Sequence, residues 1–267
     1  MHKGLLIVQL VLLLAAPLSL PAQEAGKTPE YPNPYRDMTH DMVLIPAGNF
    51  EQGCDALGPE HGAPQHTVYL EAFMIDKFEV TNQRFEEVMP DHKLRRSHLS
   101  ACDRCPVSKV TWYEAADYCH LIGKALPSEA QWEKAAGGRN GCDYPWGAEF
   151  KPEEGKAHGK IKLKDGTAKV GSYPPNKYGL YDMAGNLWEW VADWYSPEYY
   201  FREVMYNPRG PRYGVMKVRR GGAWSDHPNG MRVGYRDWSY PFSRSYSDIG
   251  FRCAISLGPV TPSAKGQ

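Results

Sequence analysis

The sequence predicts an irregular, loop-rich α+β domain, and three observations carry that expectation. Among 267 residues there are 26 glycines and 22 prolines, too much punctuation for long regular elements. Long amphipathic runs are few, which argues against a bundle or a parallel α/β sheet. Aromatic residues reach 12%, enough to fill the core of one large domain.

Residues 1–22 read as a secretory signal. Lys3 gives a positive start, 5–20 is nearly all apolar, and Leu20-Pro21-Ala22 ends in a small residue. The apolar run is short for a membrane span, and no cysteine follows it to carry a lipid. The mature chain is therefore expected to be soluble and without a membrane span, in a secreted or periplasmic location. Residues 23–41, with Pro, Glu and Tyr and no period, read as an exposed lead-in, and 257–267 as a disordered tail.

Lys plus Arg equals Asp plus Glu at 31 each, so no net field favours nucleic acid or an acidic membrane. All six cysteines (54, 102, 105, 119, 142 and 253) follow the signal, and an even number in an oxidising compartment favours disulfides. Cys102-Asp103-Arg104-Cys105 also has the spacing of half a zinc site or of a redox pair. No second such spacing and no thioredoxin-like pattern accompanies it, so a loop disulfide is the better reading.

Taken in order, Met42 opens an apolar strand that a Pro46-Ala47-Gly48 turn interrupts before Phe50. Residues 53–65 read as a surface loop, 66–70 as a half-buried strand, and 73–80 as a further strand. Thr81-Asn82 starts a short helix to about Met89, and 93–108 reads as a basic loop. Thr111 with Glu114 and Ser128 with Gln131 are capping boxes. They open a helix over 113–122, closed by Gly123, and a second that stops at Gly137 with Trp132 in the core.

The chain is organised around its last long stretch, from Arg220-Gly221-Gly222 to Gly250-Phe251-Arg252-Cys253. Paired glycines allow a sharp turn or a close backbone approach. The polar residues between these anchors cannot build a core, but they can line a groove with guanidinium and aromatic faces. Its candidate residues are Trp224, Asp226, His227, Arg232, Tyr235, Arg236 and Trp238, with Arg232 and Arg236 also able to pair with carboxylates near Asp182 and Glu189.

Residues 42–256 resemble one family. The motifs are Ile45-Pro46-Ala47-Gly48, Glu79-Val80-Thr81-Asn82, Gly123-Lys124-Ala125-Leu126-Pro127-Ser128-Glu129-Ala130-Gln131-Trp132-Glu133, Tyr144-Pro145-Trp146-Gly147, Gly185-Asn186-Leu187-Trp188-Glu189-Trp190 and the closing Gly250-Phe251-Arg252. In this order they are similar to the formylglycine-generating enzyme (sulfatase-modifying factor) family. The resemblance implies a C-type lectin-like α+β fold, a Cys119–Cys253 disulfide, and a structural calcium ion. Asp182 and Glu189 would bind that ion through carboxylates, and Gly185 and Leu187 through carbonyls. The remaining pairings stay open, with 102 to 105 and 54 to 142 preferred. At a second calcium position of the family this chain departs from the pattern, with His158 after Ala157.

The family's oxidases hold a Cu(I)-binding cysteine pair just after the Gly-Gly-x-Trp motif. Here residues 225–231 contain no cysteine, so copper-thiolate chemistry is not expected. Asp226-His227 has metal-ligand side chains, but two adjacent residues point apart unless the loop bends. The reading that follows is a binding module for a peptide, glycan or secreted protein, acting through 224–248. Its rival is a tailoring oxidoreductase of altered chemistry, as in the pyoverdine-maturation branch of the family. A structural accessory ranks third.

Overall fold

The computed structural model describes residues 41–137, 141–154, 166–202 and 205–258. The expected signal, most of the expected lead-in, His158 and most of the expected tail lie outside these residues. Strand β1 (Met42–Ile45) and strand β2 (Gly48–Gln52) are separated by the Pro-Ala turn, and the turn moves the chain between sheets. Strand β3 (His66–Leu70) pairs with β2, while β1 pairs antiparallel with β4 (Phe73–Asp76), which also carries β9 (Ala254–Ser256). Helix α1 (Asn82–Val88) starts at the Thr81 cap. The basic loop after it is two 3-10 turns, Pro90–Arg95 and His98–Ser100.

Strand β4 ends at Asp76, four residues short of the strand read over 73–80. From Lys77 onward the main chain bonds to loops: Lys77 N donates to Asp41 O, and Tyr181 N donates to Lys77 O at 3.0 Å. Both capping boxes form. They open α2 (Trp112–Leu121) and α3 (Glu129–Ala136), and Gly123 and Gly137 follow at φ 74° and 88°.

The second sheet has the order β7-β6-β5-β8, built from β5 (Trp188–Trp194), β6 (Lys217–Arg220), β7 (Arg236–Ser239) and β8 (Ile249–Gly250). The β5–β8 pair is parallel and the others antiparallel. Helix α3 packs into the core with seven of its eight residues buried, including Glu129, Glu133 and Lys134. Their charges are answered on the spot. Arg236 donates Nε and Nη2 to Glu129 at 2.9 and 2.8 Å, Arg220 bridges Glu129 and Glu133, and Lys134 Nζ donates to the Pro46 and Gly48 carbonyls. Buried charges survive only with such partners.

Gly221 has φ 95°, and a Cβ there would sit 3.0 Å from Trp132 Cζ2, so only glycine fits between the sheet and the α3 tryptophan. The cysteines pair 54–142, 102–105 and 119–253, and no cysteine is free. The last bridge ties α2 to the strand-β9 region across a separation of 134 residues, worth roughly 4–5 kcal/mol by loop entropy. No helix among the described residues is long and apolar enough to cross a membrane.

Candidate functional site

The chain leaving β6 turns at Gly221-Gly222 into a knot closed by Asp226. Asp226 N donates to Ala223 O at 3.0 Å, and Ala223 N donates to Asp226 Oδ2 at 2.9 Å. Trp224 N donates to Asn186 O, fixing the knot to the turn before β5. A 3-10 turn, Pro228–Met231, follows, and His227 stands exposed before it.

Beside this knot the sheet presents Arg219 from β6. Its guanidinium lies 4.7 Å above the Trp188 ring, donates to Asp237 Oδ2 at 2.7 Å, and approaches Asp248 at 3.9 Å. Asp226 and Asp237 both repel charge on Asp248, whose carboxyl is raised above the usual range by burial first, with Arg219 opposing. Burial, followed by Asp237 and Asp226, likewise pushes the Tyr235 hydroxyl up. One guanidinium thus meets two carboxylates, with Asp226 close to the second. Around them, Tyr235 stacks on His61 at 4.6 Å and meets His227 edge-on at 6.4 Å.

Of the seven groove candidates, Asp226, His227 and Tyr235 are brought to this side of the sheet. Trp238 is not: it alternates with Asp237 on β7, pairs with the buried Val218, and packs on Tyr195 on the Arg236 side. Arg236 is not: it is fully buried beneath, held by Glu129 rather than by Glu189 or Asp182. Trp224 is 5% exposed and belongs to the core, because its main chain is pinned to the Asn186 turn. Arg232 turns toward the Cys54–Cys142 bridge, donating to the Cys142 carbonyl and lying 5.0 Å over Tyr144. Arg219, Asp237 and His61 were not among the sequence candidates. His61 comes from the 53–65 loop and carries no local motif; Arg219 and Asp237 are register partners, visible only once β6 and β7 pair.

The donors at the implied calcium position are these. Asp182 Oδ1 is buried with no hydrogen-bond partner, and burial raises its carboxyl to about 6. Glu79, Asp182 and Glu189 share one guanidinium, Arg252. This buried negative excess fits a hard cation at Asp182. Glu189 does not offer a free carboxylate: Oε1 accepts from Arg252 Nη2, and Oε2 accepts from Arg252 Nε and Trp132 Nε1, at 2.7–2.8 Å. Among the described residues no group of three or more His, Cys, Asp or Glu is arranged to hold a metal ion.

Comparison with known proteins places the chain. It is 34% identical to the formylglycine-generating enzyme of Streptomyces coelicolor, over 94% of this chain and 99% of that protein. It is 38% identical to the serine/threonine-protein kinase pkn1 of Chlamydia pneumoniae, over 92% of this chain but only 42% of the kinase. Among solved structures, Treponema denticola variable protein 1 is similar at a TM-score of 0.68 and 26% identity, covering 80% of this chain and 94% of that one. The model of the sulfatase-modifying factor enzyme 1-like domain matches residues 28–257, and the chain belongs to that family.

Proposed function

We propose that this is an exported binding domain on a formylglycine-generating-enzyme fold, rather than a cysteine oxidase. The observation that carries the reading is the fate of sulfur. Every cysteine of the chain is in a disulfide, and the segment after the Gly-Gly turn offers Asp226 and His227 in place of thiols. Cu(I) selects soft thiolate donors, and none is free to form here. Similarity to part of a kinase and to a variable protein, as well as to an oxidase, means that the fold alone does not decide the activity.

The bound group would lie against His227 and Tyr235, with Arg219 held by Asp237 and Asp248 and with Asp226 close by. Carboxylates outnumber cations there, so a basic segment of a peptide or protein partner is favoured over an acidic one. Secretion or periplasmic residence fits the three bridges. Calcium at Asp182, with the Gly185 and Leu187 carbonyls, would support the turn that holds Trp224.

A peptide array of lysine/arginine-rich and aspartate/glutamate-rich segments tests this. Capture of the basic set, weakened by added salt and lost in the variants His227→Ala and Asp237→Asn, is expected. Equal capture of both sets, or capture indifferent to both variants, contradicts it.

A further inference from the structure

Two of the disulfides close long loops, with sequence separations of 88 and 134 residues. The third joins Cys102 to Cys105, at a separation of 3. In the loop-entropy account a bridge stabilises more the longer the loop it closes, so this one contributes least to the fold.

The 102–105 turn keeps its shape by other bonds. Cys105 N donates to Cys102 O at 3.1 Å and closes it. Every carbonyl of the turn is then engaged from outside. Asn82 Nδ2 donates to Cys102 O at 2.9 Å, and Asn82 N donates to Cys105 O at 3.0 Å. Gln83 N donates to Asp103 O at 3.1 Å, and Val170 N to Arg104 O at 3.0 Å. Just beyond, Pro106 pairs with Thr81, and Val107 N donates to Val80 O at 2.8 Å. None of these bonds involves sulfur, so the backbone has the same partners whether the bridge is closed or open.

The two sulfurs are not equivalent. Cys102 is half-buried between the exposed Ala101 and Asp103, whereas Cys105 is 8% exposed and precedes the buried Pro106. Arg96, itself held by Glu86, spans the neighbours of Cys102: Nη1 donates to Ala101 O at 2.9 Å and pairs with Asp103 Oδ1 at 2.8 Å. An accessible cysteine beside a guanidinium, joined to a shielded one, suits exchange, because attack needs access and the leaving sulfur does not.

We propose that Cys102–Cys105 is a thiol–disulfide exchange site that takes two electrons from a dithiol donor. One thiolate of the donor attacks Cys102 Sγ, the Cys102–Cys105 bond breaks, and its electron pair leaves on Cys105 Sγ. The donor's second thiolate attacks the mixed disulfide and releases Cys102 Sγ. The donor ends as a disulfide, and the two protons its thiols gave up are taken from solvent by Cys102 and Cys105. The site shares no residue with the Arg219 surface, and it does not rest on the binding function proposed there.

The test uses residues 23–267, equilibrated with graded dithiothreitol, quenched in acid, alkylated and mapped by mass spectrometry. Cys102 and Cys105 are expected to open at about tenfold less dithiothreitol than the other two bridges, with cooperative unfolding retained. Single variants then separate the roles of the sulfurs. Cys102 in Cys105→Ser should form a mixed disulfide with oxidised glutathione about tenfold faster than Cys105 does in Cys102→Ser. Opening of all three bridges together, or equal rates in the two variants, overturns the proposal. Loss of the folded state when this bridge alone is opened or removed also overturns it, by making the bridge structural.

Discussion

Arg220 and Arg236 sit opposite one another across β6 and β7, two guanidiniums in register inside the protein. They are tolerated because α3 places Glu129 and Glu133 between them, a charge-for-charge match with both arginines fully buried. Removing one partner strands the other charge, so Arg236→Ala should lower unfolding free energy by about 3–5 kcal/mol in a denaturant titration. A loss below about 1 kcal/mol would mean that Glu129 finds another partner or takes up a proton. From the sequence alone Arg236 looked like a groove residue, since it sits among Tyr, Asp, Trp and Ser. Its partner lies 107 positions away, and no local pattern announces it. Asp226, His227 and Tyr235 were legible because they stand in a polar stretch that cannot make a core, whereas Trp238 in the same stretch faces the Arg236 side of the sheet. Arg219 was not, because alternation on β6 hides which side of the sheet it faces until β7 is placed beside it.

The helices were the most legible elements. Each begins with a side chain that can satisfy the first free N–H groups, and Thr111 and Ser128 do so in the structure. Strand ends were less legible: β4 stops where Lys77 finds loop partners, which an apolar alternation cannot report. Strand β5 carries the element-scale prediction. Asp193, on that strand, is buried, and its carboxyl is pushed up to about 7, by desolvation first and then by repulsion from Glu129. With a folded pKa above the unfolded value near 3.9, the folded state holds the extra proton between about pH 4 and 7. This group therefore favours folding below that window, and the advantage is lost as pH rises through it. Asp193→Asn should flatten that part of the melting-temperature profile relative to the unmodified protein. An unchanged difference in slope would show that Asp193 is ionised throughout.

At the scale of the molecule, family membership and the Cys119–Cys253 bridge were legible because the motifs run nearly the whole length in order. The position of the candidate surface was not, because the residues around Arg219 come from segments far apart in the chain. Calcium is a molecule-wide stability question. Chelation with EGTA should lower the melting temperature of residues 23–267, and Asp182→Ala should make it insensitive to the chelator. Equal chelator sensitivity in both proteins would place the ion elsewhere. The central claim is that this family member binds without oxidising. Its most direct test is incubation of residues 23–267 with Cu(I), oxygen and a sulfatase-type cysteine peptide, followed by mass spectrometry of the peptide. The account predicts that the thiol persists; conversion of that cysteine to the aldehyde would contradict it.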